Sequence, residues 1–351
     1  MFKISIIIPC YNVSQYIDRC LNSIVSQTMS IDDLQIICID DASTDDTWQH
    51  LQQWEKQYPN NIILIQCNQQ IRQGAARNWG MQYVNTPYVS FIDADDWIEP
   101  DYYDIMYSYI TGLDCEIACC AYERDFSNAL TYFENRNTTG QSRYLIIDTP
   151  KKREVFLHAK SMGYSSCCKL IQTDFLLNNQ IYFPEGLAYE DNFWSSLLHL
   201  YAENVFILEE KLYHYFVNPS STIMKEDADY HADYITIYLL LWDEWEKRGF
   251  YPYYKDALEY DYLYSFYFCF LRILIIRFSK PQFSLFLLLK QLFLERVPDY
   301  RFNPYIDEHF DDFHKLMLQP LLSPITKNDF MIYAKNTKIY WMIEAKKEST
   351  K

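Results

Sequence analysis

The chain lacks an excess of positive charge. Its 351 residues include 31 Lys and Arg against 47 Asp and Glu, which gives a formal net charge of −16. Non-specific binding to nucleic acid requires a basic surface, so this balance argues against a nucleic-acid partner. A local basic patch remains compatible with it.

Long apolar runs and paired cysteines are also missing. No uncharged apolar stretch approaches the roughly 20 residues of a membrane helix, and the run in MFKISIIIPCYN is too short for a secretory signal. The ten cysteines form no CxxC framework, which favours buried free thiols in a reducing compartment. We therefore expect a cytoplasmic protein that at most contacts the inner face of the cell membrane.

Strand and helix patterns alternate in the first hundred residues. Four continuous apolar runs predict buried strands and three amphipathic stretches predict helices, namely 3–8, 34–40, 61–66 and 88–93 for the strands and 14–27, 43–57 and 73–84 for the helices. This order predicts right-handed βαβ units and a mostly parallel central sheet flanked by helices. Ligands of such sheets bind beyond the carboxyl ends of the strands, which directs attention to the segments that follow them.

The rest of the chain divides by composition. We predict a first domain at 1–230 and a mainly helical C-terminal region at 231–351, which would face the acceptor or the membrane. Within the first domain, 204–217 predicts two strands. Residues 262–294 carry no Asp or Glu but four Lys and Arg. This pattern indicates either a buried helical hairpin with its cations at the rim or a peripheral surface that contacts an anionic membrane.

The first strand-to-helix turn, PCYNVSQ, contains no glycine. A dinucleotide-binding turn and a P-loop both need glycine there, so the usual backbone cradle for phosphate is absent. A divalent cation held by carboxylates is the natural alternative. The segment FIDADDW, residues 91–97, offers Asp93 and Asp95 at a strand end. The other interpretation is a solvated acidic turn in which Asp96 caps the next segment.

Five short motifs then occur in order, namely SIIIPCYN, IDDASTDDT, GAARNWG, FIDADDW and YEDNFW. Together they resemble the family 2 glycosyltransferases of GT-A fold, a large bacterial group that makes surface polysaccharides, over about residues 1–222. The resemblance implies a nucleoside-diphosphate sugar donor, usually a UDP-sugar, and a Mn²⁺ or Mg²⁺ ion. It also implies transfer with inversion to a hydroxyl of a glycan or lipid-linked acceptor.

The resemblance assigns the nucleoside pocket to the first two strand ends. Pro9, Tyr11 and Asn12 match the turn that lines this pocket, where the ring of Tyr11 could stack on the base. Asp41 matches the residue that hydrogen-bonds the base. Helix capping is the alternative for Asp41 and the favoured interpretation for Asp40.

The resemblance places the phosphates and the cation near the third helix and the fourth strand. Gly74 would let the backbone approach the donor, and Arg72 or Arg77 would pair with a phosphate. An internal ion pair with the acidic cluster is the alternative for Arg77. Asp93 is expected near the ribose and beside the metal, and Asp95 on the metal. Asp96 is expected to support the turn.

Inversion needs a base on the face opposite the leaving group, and YEDNFW supplies two acids. The resemblance makes Asp191 the base, while Glu190 would orient the loop or contact the acceptor. The alternative is a pair of acids favoured by the helix dipole. The chain departs from the family at Phe216, where an Arg is common, which leaves the phosphate contacts of LYHYFVNPSST open. His214 is either a third metal ligand or a packed strand histidine.

Two other functions are compatible with parts of this pattern. A sugar nucleotidyltransferase would carry a glycine-rich, basic first turn, which PCYNVSQ does not provide. A non-catalytic sugar-nucleotide-binding or scaffold protein would be indicated by loss of Asp95 or Asp191, and both residues are present. The pattern therefore favours an inverting, metal-assisted glycosyltransferase.

Overall fold

In a computed structural model, the chain forms two compact units, Met1–Pro219 and Ser220–Lys351. The structure describes residues 1–134, 136, 140–218, 221 and 224–348. Ser220 and Thr222, which belong to the segment LYHYFVNPSST, lie outside the described residues.

The first unit is built on a nine-stranded sheet. Its strands are β1 Ile4–Cys10, β2 Leu34–Asp40, β3 Ile62–Gln66, β4 Tyr88–Phe91, β5 Trp97–Ile98, β6 Ile117–Asp125, β7 Arg143–Ile146, β8 Lys169–Gln172 and β9 Asn204–Phe216. Their order in the sheet is β3-β2-β1-β4-β8-β6-β9-β5, with β7 also paired to β9.

The first four strands form the parallel half of the sheet, as predicted. Every residue of β1 and β2 is buried, which explains why both segments are continuous apolar runs rather than alternating patterns. The other half is mixed, because β8 runs antiparallel to both β4 and β6 while β6 and β9 are parallel. The sheet is therefore parallel where the predicted ligand-binding edge lies.

The prediction of two strands at 204–217 is wrong. A single strand, β9, crosses this segment and pairs with β5, β6 and β7 along its length. The polar residues Glu209, Glu210 and Lys211 interrupt the apolar pattern, but they lie at least partly exposed on a strand that continues through them.

Seven helices accompany the described strands of the first unit, namely α1 Ile17–Val25, α2 Thr47–Gln57, α3 Arg72–Met81, α4 Tyr102–Gly112, α5 Pro150–Ala159, α6 Thr173–Asn178 and α7 Glu190–Tyr201. The helices α1 and α2 begin three and four residues later than their amphipathic patterns suggested, at Ile17 and Thr47. The residues before each helix stay in the loops and form hydrogen bonds between them. The N–H of Asn12 donates to Ser43 Oγ at 3.0 Å, and the N–H of Ser14 donates to Asp45 Oδ2 at 3.1 Å.

The second unit is helical in its described part. It contains α8 Asp233–Lys247, α9 Tyr251–Asp261, a π-helical segment Tyr262–Cys269, α10 Phe270–Ile276, α11 Phe283–Arg296, α12 Pro304–His309, α13 Asp312–Met317, α14 Gln319–Leu322 and α15 Lys327–Glu348. No helix among the described residues is both long and apolar enough to cross a membrane.

The large apolar side chains of residues 262–275 form the core of this second unit. Tyr262, Phe266 and Tyr267 of the π-helical segment and Phe270 and Leu274 of α10 are fully buried. Of the two interpretations of 262–294, the buried hairpin is therefore the one that fits. A membrane-contacting surface there would have to use the few large apolar side chains that remain exposed, Tyr264, Leu287 and Leu288.

Candidate functional site

The sheet brings three predicted segments to one edge. The strands β2, β1 and β4 are neighbours and run parallel, with Cys10 opposite Asp40 and Ile7 opposite Phe91. The chain leaves all three strands at their carboxyl ends, so residues 11–12, 41–43 and 93–96 emerge side by side. This is the edge at which parallel sheets bind ligands.

The first-strand turn leaves one ring accessible. Pro9 is buried within β1, whereas Tyr11 is 42% exposed. Asn12 has a positive φ of 52°, and its Oδ1 accepts a hydrogen bond from the N–H of Thr44 at 2.8 Å. Asn12 thus fixes the turn against the next loop, and Tyr11 is the side chain that can reach a ligand.

Asp41 connects the end of β2 to the start of α3. Its two carboxylate oxygens accept hydrogen bonds from the N–H groups of Ile71 and Arg72, at 2.6 and 2.9 Å. Burial raises the pKa of Asp41, and these two bonds oppose that shift. Neither Asp40 nor Asp41 caps α2, the helix that follows them. Asp41 instead satisfies N–H groups at the beginning of α3, and its oxygens retain lone pairs for a further donor.

Asp96 supports the acidic turn, as predicted. It is only 1% exposed, and its oxygens accept hydrogen bonds from the Tyr213 hydroxyl at 2.6 Å and from the N–H of Phe216 at 2.8 Å. Burial raises the pKa of Asp96, followed in size by the charge of Asp95. The carboxyl group is buried, and both of its oxygens accept hydrogen bonds within the protein.

Asp95 differs from Asp96 because it is partly exposed, and no cationic side chain forms an ion pair with it among the described residues. Its Oδ2 accepts a hydrogen bond from Asn218 Nδ2 at 3.0 Å. Burial and then the nearby charge of Asp93 raise the pKa of Asp95. A cation bound beside a carboxylate in this position would stabilise its charged form.

The donor set fits a hard divalent cation that arrives with phosphates. No group of three or more His, Cys, Asp and Glu side chains in the described part of the chain is arranged to hold a metal alone. Asp95 and the partly exposed Asp93 provide carboxylate oxygens, which are ligands for Mg²⁺ and Mn²⁺. Such ions commonly use one or two carboxylates and complete their shell with water and substrate phosphates.

Arg77 forms the internal ion pairs that were the alternative prediction. Its Nη2 lies 2.8 Å from Asp93 Oδ1 and its Nη1 lies 2.5 Å from Glu190 Oε1. Burial acts to lower the pKa of Arg77, but the charges of Asp93 and Glu190 raise it overall. The side chain is 3% exposed, so the guanidinium is committed to the protein and is not available to a donor phosphate.

Asp191 lies in the first turn of α7, directly after Glu190. Burial, followed by the charge of Glu190, raises the pKa of Asp191 to about 7, and the charge of Asp93 also contributes. Asn192 Nδ2 donates a hydrogen bond to Asp191 Oδ1 at 3.2 Å. A carboxylate that titrates near neutrality is suited to accept a proton during catalysis. The ion pairs of Arg77 with Asp93 and Glu190 also link the acidic turn to the start of α7, which carries Asp191.

His214 is a packed strand histidine. Its ring stacks between Trp97 and Phe133, each with a centroid separation of 4.8 Å. Its Nε2 lies 2.7 Å from Glu99 Oε1 and its Nδ1 lies 2.8 Å from Asp125 Oδ2. Both nitrogens face carboxylates of the protein, which leaves neither available for a metal ion.

Gly74 permits a close contact inside the protein. A Cβ atom at this position would lie 2.6 Å from the carbonyl oxygen of Pro184 and 3.0 Å from Glu190 Cγ. The space that was expected to face the donor is thus filled by the segment leading into α7. The glycine allows α3 to approach that segment.

Replacement of Gly74 should therefore destabilise the fold. We expect Gly74→Ala to lower the free energy of unfolding by about 1–3 kcal/mol, because the added methyl group overpacks against a backbone carbonyl. Urea unfolding would measure the change. Gly112→Ala is the matched helical control, since nothing lies within 4 Å of its Cβ position, and it should be neutral or stabilising. Equal losses in the two variants would contradict this explanation.

Arg77→Met should be more damaging, because it leaves Asp93 and Glu190 without their shared cation. Breaking a buried pair from one side costs about 3–5 kcal/mol of unfolding free energy. The control is Arg143→Met, whose side chain is 51% exposed and pairs with Glu209 at 3.5 Å. The control should lose at most about 1 kcal/mol. A similar loss in both variants would show that the bridge does not stabilise the site.

Two polar residues of the site were missed in the sequence. Arg19 donates to the backbone carbonyl of Asp95, and Asn218 donates to its side chain. Arg19 lies in an amphipathic helix that no motif marks, and Asn218 lies in the segment LYHYFVNPSST but was not singled out there. Their roles depend on contacts between segments that are far apart in the chain.

Comparisons with known proteins show which family the first unit resembles. The profile of the family described as Glycosyl transferase family 2 matches residues 5–177, about half of the chain. The chain is 30% identical over 225 residues to the glycosyltransferase GlyA of Streptococcus pneumoniae, covering 62% of this chain and 31% of GlyA. It is 26% identical over 216 residues to the poly(ribitol-phosphate) beta-N-acetylglucosaminyltransferase TarS of Staphylococcus aureus, covering 61% of this chain and 35% of TarS.

The comparison with solved structures shows a shared fold. The crystal structure of S. aureus TarS residues 1–349 in complex with UDP-GlcNAc superposes with a TM-score of 0.62 at 20% identity, covering 85% of this chain and 82% of that one. The chain thus spans about one third of the full length of these two relatives but most of the TarS fragment. The predicted α/β GT-A fold is confirmed, and the chain belongs to glycosyl transferase family 2 through its domain at residues 5–177.

Proposed function

We propose that the protein transfers a sugar, with inversion, from a nucleoside-diphosphate sugar to a hydroxyl of a glycan or lipid-linked acceptor. The donor would be a UDP-sugar, a divalent Mn²⁺ or Mg²⁺ ion would assist, and Asp191 would act as general base. The observation that carries the proposal is that Arg77 bridges Asp93 of the acidic turn to Glu190, the residue next to Asp191. Asp95 lacks a cationic partner among the described residues, and the pKa of Asp191 is raised to about 7.

The donor-binding roles follow from which groups remain accessible. Tyr11 would stack on the base, and Asp41 would accept a hydrogen bond from it. The outward oxygen of Asp93 would face the ribose and the cation, while Asp95 would hold the cation. When bound, the ion would neutralise charge on the diphosphate leaving group.

The transfer itself would be a single displacement. Asp191 would take the proton from the acceptor hydroxyl while that oxygen forms a bond to the anomeric carbon. The bond from this carbon to the diphosphate would break on the opposite face, and the electron pair would leave with the diphosphate. Attack and departure on opposite faces invert the anomeric configuration. Glu190, held by Arg77, would keep the first turn of α7, and with it Asp191, in place.

The proposal assigns these steps to residues 1–230 and an acceptor-facing role to the helical region 231–351, in a protein that works in the cytoplasm. It does not include membrane contact through 262–294, because most large apolar side chains of that segment are buried. The TarS fragment was crystallised in complex with UDP-GlcNAc, which supports a UDP-sugar as the first donor to test.

A donor panel tests the proposal. The protein would be incubated with UDP- and GDP-sugars, with Mn²⁺ or with EDTA, and both donor binding and release of nucleoside diphosphate would be measured. We expect cation-dependent turnover of at least one UDP-sugar. Binding without turnover would favour a scaffold, and formation of UDP-sugar from UTP and a sugar 1-phosphate would favour a nucleotidyltransferase. Neither binding nor turnover with any donor would refute the proposal.

A further inference from the structure

Arg19 is a cation buried among aromatic rings beside the acidic turn. Its guanidinium carbon lies 4.1 Å from the ring centroid of Trp97 and 4.9 Å from that of Phe216. The residue is 9% exposed and has no carboxylate within ion-pair distance among the described residues. Burial lowers the pKa of Arg19. The aromatic rings offset only part of the cost of burying this charge, so its position calls for a further explanation.

The hydrogen bonds of Arg19 connect two segments that are far apart in the chain. Its Nη1 donates to Asn128 Oδ1 at 2.7 Å, and its Nη2 donates to the backbone carbonyl of Asp95. Asn128 lies on an exposed loop, 126–134, that follows β6. Arg19 thus connects this loop to the backbone of Asp95, the residue whose carboxylate lacks a cationic partner among the described residues.

We propose that Arg19 is a positioning residue that couples the loop 126–134 to Asp95 and so sets the response of the donor site to its cation. This inference rests on the proposed function. By holding the carbonyl of Asp95, Arg19 fixes the peptide plane after it and thereby the direction of the carboxylate. Asn218 holds that carboxylate from the other side. Both Nη atoms of Arg19 bond to the protein, so Arg19 acts through Asp95 and not on the substrate.

The coupling makes a specific prediction for binding without turnover. The affinity for UDP would be measured by titration calorimetry with Mn²⁺ and with EDTA, and the ratio of the two dissociation constants is the cation-dependent gain. We expect Arg19→Met to reduce this gain about tenfold, the loss of one hydrogen bond from a charged donor. The affinity in EDTA should stay unchanged, because no group that touches UDP is removed.

Further variants separate positioning from general damage. Asn128→Ala removes the hydrogen bond at the loop end but leaves the bond from Arg19 to Asp95, so it should reduce the gain less than Arg19→Met does, by about threefold. Arg19→Lys keeps the charge but cannot form both hydrogen bonds at once, so it should fall between wild type and Arg19→Met. Arg143→Met changes an exposed arginine of the same unit and should keep the full gain. Melting temperatures would confirm that each variant is folded.

The possible results distinguish failure of this inference from failure of the proposed function. A wild-type gain that persists undiminished in folded Arg19→Met overturns the inference and leaves the proposed function intact. If Arg19→Met does not fold, undiminished gains in both Arg19→Lys and Asn128→Ala overturn it equally. Wild-type protein that binds no UDP, or shows no gain with Mn²⁺, overturns the proposed cation site and the inference together.

Discussion

Asp191→Asn should lower the rate of sugar transfer by about 10²–10⁴-fold, the usual contribution of a general base. Asn has nearly the same shape as Asp but cannot accept the proton of the acceptor hydroxyl. The change should appear in kcat, because UDP makes no proposed contact with this side chain. Transfer kinetics and UDP affinity, measured on the same preparation, would separate the two effects.

The pH dependence gives this prediction a second readout. The pKa of Asp191 is raised to about 7, so the carboxylate form needed to accept a proton is gained as the pH rises through that value. For the wild type, kcat/KM should therefore rise with pH and level off above about 7. Asp191→Asn should lack this ascending limb. Asp174→Asn, which changes an exposed acid of α6, should keep both rate and profile. Full transfer by Asp191→Asn would refute the base assignment.

Asp95→Asn should remove the cation-dependent part of donor binding. The substitution keeps an oxygen that can accept from Asn218 but removes the charge that would hold the ion. We expect UDP affinity in Mn²⁺ to fall by about 100-fold, towards the value that the wild type shows in EDTA. Titration with UDP in the two buffers would measure this.

The exposed acid Asp174 again provides the control, and Asp174→Asn should retain the full gain from Mn²⁺. The same titration in Mg²⁺ would show whether one ion is preferred. If Asp95→Asn keeps an undiminished gain, the cation is held elsewhere, and the interpretation of the acidic turn as its binding site is wrong.

The parallel half of the sheet could be predicted because the signal for its strands lies in short stretches of the sequence. The strands β1 and β2 are covered on both faces, and this alone produces continuous apolar runs. The mixed half was harder, because pairing between β4, β8 and β6 joins strands that are widely separated in the chain. Their order depends on tertiary contacts that periodicity does not encode.

The positions of the acidic residues in the site could be predicted from the sequence, but the contacts that each of them makes could not. Placement at strand ends identified Asp93, Asp95 and Asp96. Their different environments arise from distant partners, such as Tyr213, which lies 117 residues after Asp96. Arg77 is likewise committed by Glu190, 113 residues away, and no local pattern shows this. The sequence therefore identifies the candidate groups, and the fold decides which of them can still face a ligand.

The most direct test of the proposed mechanism is the anomeric configuration of the first hydrolysis product. With a UDP-α-sugar that the protein turns over, water would replace the acceptor at the site of Asp191. Proton NMR, recorded before mutarotation, would then identify the free sugar. A single displacement opposite the cation-bound diphosphate predicts that the β-anomer forms first. Initial release of the α-anomer would contradict the proposed arrangement of base, donor and leaving group.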